Sequence, residues 1–229
     1  GFNLIGNPFT HNLYKGKDAA IDNDYLTIGH YSLSNAGRWG AVLSNEAIAP
    51  CQSILVQTIK DDETLVISKK NNAPTVRDEH ATLDIVVSNG KYSDEAHVMF
   101  TEGIGLGKIA HMNKDIPMVY VSDNGSHYAI ATMEEDVEEI AVGFEAMTMG
   151  EYTIGIKAAD CDYSSIILTD NITGEKTDLL KGNYTFMALT TDRPQRFVLT
   201  MNNDIDTDTD TDFIYINNGE MIINNIEGN

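Results

Sequence analysis

The sequence predicts an all-β protein built as two consecutive β-sandwiches, and three observations carry that expectation. Apolar residues recur with period two in short runs, Asn-Gly and Asp/Asn/Gly turns separate those runs, and no stretch sustains a helical period. With 229 residues, 42% of them hydrophobic and 22% charged, the chain can bury one large core or two smaller ones.

The runs place strands at Asn3–Ile5, Tyr25–Ser34, Trp39–Leu43, Ser53–Thr58, Thr64–Ser68, Thr82–Val87 and His97–Phe100 in the first part. A second series follows at Val119–Val121, His127–Thr132, Glu139–Phe144, Tyr152–Lys157, Ser165–Thr169, Tyr184–Leu189 and Arg196–Met201. Asn89-Gly90, Asn124-Gly125 and Asn218-Gly219 suit hairpin turns that need positive φ. The acidic stretch Met133–Ile140 reads as a charged loop leading into a strand rather than as a helix. A border is expected near Met112–Pro117, where a polar stretch ends in proline. It divides the chain into residues 1–115, 116–202 and 203–229, with the first two as sandwiches and the last as an acidic linker and hairpin.

Charge narrows the partners. The formal charge is −20, distributed as −4, −9 and −7 over the three segments. Such a potential repels nucleic acid phosphates and anionic lipid headgroups. No apolar run reaches the roughly 18 residues that a membrane-spanning helix needs. The chain opens directly on Gly1-Phe2-Asn3-Leu4-Ile5-Gly6-Asn7-Pro8-Phe9, which reads as a piece of something longer.

Chemistry is sparsely signalled. No nucleophile elbow, phosphate loop, zinc-protease helix or dinucleotide fingerprint is present. Gly103-Ile104-Gly105-Leu106-Gly107-Lys108 imitates a phosphate loop, but its glycines alternate too closely and no Ser or Thr follows Lys108, so it reads as a flexible loop. The histidines at 11, 30, 80, 97, 111 and 127 are scattered, and His30 and His127 read as ordinary sheet-face residues. With 35 acidic residues, a pair of carboxylates of the kind that hydrolyses glycosides is a matter of space rather than sequence. Cys51 and Cys161 read as two separate, partly buried thiols, a disulfide joining the halves being the alternative. Tyr31, Trp39, Tyr92 and Tyr120 could line a sugar-binding face, and Trp39, Tyr31 and Tyr92 are the ligand-binding candidates. The other reading of Trp39 is an indole closing the sandwich edge between Gly37 and Gly40.

The run Asp204, Asp206, Asp208, Asp210 and Asp212 has the alternation that supplies the first oxygen ligands of a calcium loop. Thr209 stands where such a loop has glycine and Tyr215 where it has glutamate. A specific calcium site, a cation-responsive linker and a solvated spacer are the three readings, and calcium is the only cofactor considered. Beyond it, Phe213–Asn217 and Glu220–Ile223 flank Asn218-Gly219 as a hairpin.

Gly1–Phe9, followed by Ile48-Ala49-Pro50-Cys51-Gln52-Ser53-Ile54-Leu55-Val56, resembles modules near the C-terminus of large surface or secreted Bacteroidetes proteins. There an "NLIGNP" strand precedes an "IAPGQGFFVK"-like strand, and Cys51 and Ser53 replace glycines common in it. Ala96–Phe100, Pro117–Tyr120 and Tyr128–Ile130 resemble the passage from a jelly-roll-like to an immunoglobulin-like module. Gly143-Phe144, Gly150–Ile154, Leu168–Gly174, Tyr184–Phe186 and Arg196–Leu199 are similar to strands of the second module. Ile214–Ile223 is similar to the first hairpin of a type IX secretion sorting domain.

The resemblance implies a non-catalytic, adhesin-like module pair at the cell surface or secreted, associated with the outer membrane. It would serve as a stalk, a spacer, or a binder of a glycan or host protein, beside upstream domains of a larger protein. The alternatives are an accessory fragment of a secreted hydrolase and an assembly module that works by strand addition.

Overall fold

A computed structural model describes residues 1–43, 46–73, 81–160, 163–202, 214–217 and 220–223, the side chains of 158–160, 214–217 and 220–223 excepted. In chain order the strands are β1 (Phe2–Gly6), β2 (His30–Leu33), β3 (Trp39–Val42), β4 (Ser53–Gln57), β5 (Thr82–Ser88), β6 (Ser93–Phe100), β7 (Leu106–Gly107), β8 (Met118–Asp123) and β9 (Ser126–Met133). They continue with β10 (Glu139–Glu145), β11 (Gly150–Asp160), β12 (Ser165–Asp170), β13 (Lys176–Asp178), β14 (Tyr184–Ala188), β15 (Phe197–Asn202), β16 (Ile214–Asn217) and β17 (Glu220–Ile223). The architecture is all-β, as the period-two pattern predicts.

The strands form a small sheet in the order β1-β4-β2-β3, a large sheet in the order β13-β12-β15-β10-β8-β9-β6-β5-β11-β14 with β7 beside β9, and the hairpin β16-β17. Strands from both sides of residue 115 share the large sheet: β6 pairs in parallel with β9, and β5 pairs antiparallel with β11. Hydrogen-bonded ladders therefore cross the expected border between 115 and 116. The two-residue loop of β8-β9 has Asn124 at φ 48° and Gly125 at 79°, the doubly left-handed turn that matches strand twist.

Two expected strands change. Only His30–Leu33 of Tyr25–Ser34 joins a ladder, because Gly29 turns the chain at φ 68° where a Cβ would strike Ile130 and the Val42 carbonyl. Thr64–Ser68 makes no strand. Its contacts are isolated ones to loops: the Tyr25 hydroxyl donates to the Thr64 carbonyl and Ser68 N–H to the Ala20 carbonyl, while Leu65 and Ile67 pack inward.

Three cores follow from strand alternation. The inner face of the large sheet encloses Leu83, Ile85 and Val87 of β5, Ile166 and Leu168 of β12, and Phe197, Leu199 and Met201 of β15. Phe186 sits among Phe197 at 5.0 Å, Phe144 at 5.1 Å and Tyr184 at 5.7 Å between ring centroids. A fully buried side chain of this size stabilises the fold by about 1.5–3 kcal/mol. The small sheet buries Ile54 and Val56 on one face against Leu13, Ile21 and Ile48. Its other face meets the outside of the large sheet through Tyr31, Met99, Leu106, Ala129 and Ile130.

The large sheet is nearly closed, and bonds around one ion pair link its two ends. Arg196 donates from Nε and Nη2 to the two oxygens of Asp170 at 3.0 and 2.7 Å, and from Nη1 to the Met187 carbonyl of β14. The Tyr184 hydroxyl of β14 also donates to Asp170. Burial pushes the Asp170 carboxyl up, but the Arg196 bonds and charge, the Ile172 N–H and the Tyr184 hydroxyl together hold the acid below the ordinary carboxylate range. The guanidinium lies over the Phe186 ring, 4.4 Å from its centroid.

Arg196→Ala leaves a buried carboxylate unpaired and is expected to cost about 3–5 kcal/mol in urea unfolding, whereas Arg196→Met with Asp170→Leu recovers most of it. A single variant within about 1 kcal/mol of wild type would show that the clasp does not close the sheet.

Candidate functional site

The densest buried polar chemistry lies where the small sheet meets the large one, on the segment from Gly103 to Asn113. The sequence read Gly103–Lys108 as a flexible loop, and the structure corrects this: the segment is a strap bonded on both sides. Ile104 C=O accepts from Ile28 N–H at 2.9 Å, Gly107 N–H donates to Gln57 Oε1 at 2.8 Å, and the Tyr31 hydroxyl donates to Gly107 C=O at 2.6 Å. On the large sheet, Lys108 N–H donates to the His127 carbonyl at 2.8 Å. Asn113 N–H then reaches the Gly37 carbonyl, and its side-chain amide the Ala36 carbonyl. The glycines allow close packing rather than phosphate binding, since a Cβ on Gly105 would lie 2.5 Å from the Ile130 carbonyl oxygen.

Asp94 of β6 anchors the strap. Its Oδ2 accepts from Lys108 Nζ at 2.5 Å and from Val119 N–H at 2.9 Å, and its Oδ1 lies 3.2 Å from His111 Nε2. Trp39 N–H donates to His111 Nδ1, which assigns the imidazole proton to Nε2, close to the carboxylate but not aligned to hydrogen-bond it. The side chains of Lys108 and Asp94 are 2% and 1% exposed. Burial pushes the Asp94 carboxyl up, yet the Lys108 ammonium and His111 bring it below the ordinary carboxylate range.

A second buried amine lies beneath the small sheet. Lys15 Nζ donates to the Thr27 carbonyl at 2.7 Å, and burial lowers its pKa from 10.5 to about 8. His30 falls to about 4, first through burial and then through the Lys15 charge.

The aromatic candidates separate. Tyr31 is fully buried, so its ring cannot meet a ligand face: it packs 6.4 Å from the Trp39 ring, edge-on, and burial raises its hydroxyl. Trp39 is half-buried on β3 in the same layer. Tyr92 lies apart, half-buried in the β5-β6 turn, with Lys91 Nζ 4.7 Å from its ring centroid. Its hydroxyl is held below the usual phenol range, first by a hydrogen bond with Asn113 and then by Lys91. Tyr120 is buried on β8, stacked on His127 at 4.2 Å. His97 Nδ1 lies 2.6 Å from Asp84 Oδ1.

Cys51 is an exposed free thiol at φ 64°, not the partly buried one expected, because the turn before β4 carries it outward. Cys161 and His80 lie outside the described residues, as do Asp204, Asp206, Asp208, Asp210 and Asp212. Among the described residues, no three His, Cys, Asp or Glu side chains gather as a metal ion would require. No described helix is long and apolar enough to cross a membrane. No protein family, curated protein or solved structure matches the chain.

No local motif joins Asp94, Lys108 and His111 in the sequence. The one available signal was Asp94 at an inward position of β6, where Ala96, Val98 and Phe100 are apolar.

Because burial lowers the Lys15 pKa, the unfolded chain holds the proton more tightly between pH 8 and 10.5, so stability rises with pH across that window. Wild type is expected to gain about 3 kcal/mol relative to Lys15→Met over it, measured by urea unfolding. Parallel stability curves for the two chains would contradict the burial of the amine.

Proposed function

We propose that the chain is a non-catalytic, adhesin-like spacer within a larger exported protein, displayed at the outer membrane or secreted. The observation that carries this reading is the strap. It makes one stiff body of the two sheets, as a stalk needs, and it draws Tyr31 and Trp39 into packing between layers. The resemblance of the opening and closing motifs to Bacteroidetes surface proteins supports the same reading. In this reading the chain is a jelly-roll-like module followed by an immunoglobulin-like one, ending in a sorting hairpin, and the upstream domains of the parent protein perform the recognition or catalysis.

A second reading, glycan or host-protein binding, is favoured by Tyr92 alone among the three aromatic candidates. Lys91, over its ring, also lines a hollow of about 430 Å³ with Asn89, Thr148, Met149 and Glu151, Met149 being 72% exposed. Loops at one end of a sandwich are where such folds place binding surfaces.

The test is a glycan array and an extracellular-matrix protein panel probed with residues 1–229, with and without about 1 mM calcium. The spacer reading expects no signal above an unrelated β-sandwich control in either condition. Binding abolished by Tyr92→Ala in a chain that still unfolds cooperatively would replace it with the binding reading.

A further inference from the structure

The geometry points to an intramolecular isopeptide bond between Lys108 Nζ and Asp94 Cγ, formed by the chain itself with loss of one water. This modification site is independent of the spacer reading. Three features meet at these two residues. Lys108 Nζ lies 2.5 Å from Asp94 Oδ2, so once it has given up a proton its lone pair has only to turn toward the neighbouring carbon. Both side chains are sealed from solvent, at 2% and 1% exposure. The third is a proton donor, His111 Nε2–H, 3.2 Å from the other carboxyl oxygen.

The step begins inside the sealed pair. One proton passes from the Lys108 ammonium to Asp94, giving an amine and a carboxylic acid without exchange with solvent. Nζ then attacks Cγ. Negative charge gathers on Oδ1, and a small rotation of the His111 ring, whose Nε2–H is 3.2 Å away and otherwise without a partner, brings a donor onto it. Oδ2, already hydrogen-bonded to Val119 N–H, takes a proton from nitrogen and departs as water. One C–N bond forms, one C–O bond breaks, and nothing is oxidised or reduced. The new amide N–H keeps an acceptor, since Nζ already donates to the Glu95 carbonyl at 3.2 Å.

Two physical terms favour the step. A buried ion pair carries the desolvation cost of two charges, which the neutral amide abolishes. Reactants fixed in contact reach effective molarities of about 10⁵–10⁸ M, which offsets the difficulty of joining amine to acid in water. Other described pairs lack one of these features. Arg196 faces Asp170 equally buried, but a guanidinium stays protonated and is no nucleophile. The Lys181 side chain, beside Asp178, is 81% exposed.

The strap would then be joined covalently to β6, fixing the seam between the sheets against unfolding and proteolysis. Intact mass spectrometry of residues 1–229 tests this. The expected mass is one water below that of the sequence, and digestion should yield a branched peptide joining the Asp94 and Lys108 segments. Lys108→Arg should restore the full mass. Asp94→Asn should still form the bond, losing ammonia instead of water and giving the wild-type product mass. A wild-type chain of full sequence mass overturns the proposal, whether or not the variants fold. So does a deficit that survives Lys108→Arg, because an Asp or Asn cyclised on its own backbone would then be its source. A His111→Phe chain that forms the bond as completely and as fast as wild type removes the histidine from the step.

Discussion

The Asp94 carboxylate, buried at the seam between two sheets, is the contact on which the rest of the arrangement depends. A carboxylate at that depth is stable only when fully partnered. Lys108 and Val119 N–H donate to it and His111 Nε2 lies 3.2 Å away, and both Lys108 and His111 belong to the strap. Satisfying that charge as the chain folds, before a bond to Lys108 closes, therefore fixes the path of residues 103–113. That path presents Gly107 to Gln57 and Tyr31, and His111 to the Trp39 amide, so the small sheet is located by the same contacts. Hydrophobic burial holds the layers together without specifying how they slide; directional bonds to a buried charge do specify it.

A similar principle operates at the far end. Asp170 is as buried as Asp94, and it is answered by Arg196, just before the neighbouring β15, and by Tyr184 of β14 at the far end of the large sheet. The curl of that sheet is thus set by aromatic packing inside and a bidentate ion pair at the lip. The Met187 carbonyl on edge strand β14 is also capped by Arg196, which leaves that edge less ready to accept another strand.

The period-two runs of β5, β12 and β15 made the strands legible, because a half-buried strand needs little beyond alternation and a turn. Asn124-Gly125 announced its hairpin for the same local reason. What the sequence concealed was non-local. The pairing of β6 with β9 in parallel depends on the crossover through residues 101–125, and it carries the large sheet past the border that a polar stretch and Pro117 suggested. Gly103, Gly105 and Gly107 look like flexibility in one dimension and are close packing in three. Lys108 and Asp94 are 14 residues apart, so no motif joins them. The ring of Tyr31 carried no mark distinguishing a ligand platform from a core residue, since both call for an aromatic on a strand.

Native-state hydrogen exchange most directly tests whether the strap makes one body of the two sheets. The amides of Tyr31 and Leu55 in the small sheet and of Val98 in β6 should exchange through a common global opening, with equal opening free energies in wild type. In Asp94→Ala, the small-sheet amides should open at markedly lower free energy than Val98. Small-sheet amides that already exchange independently in wild type, with Val98 still protected, would contradict the account.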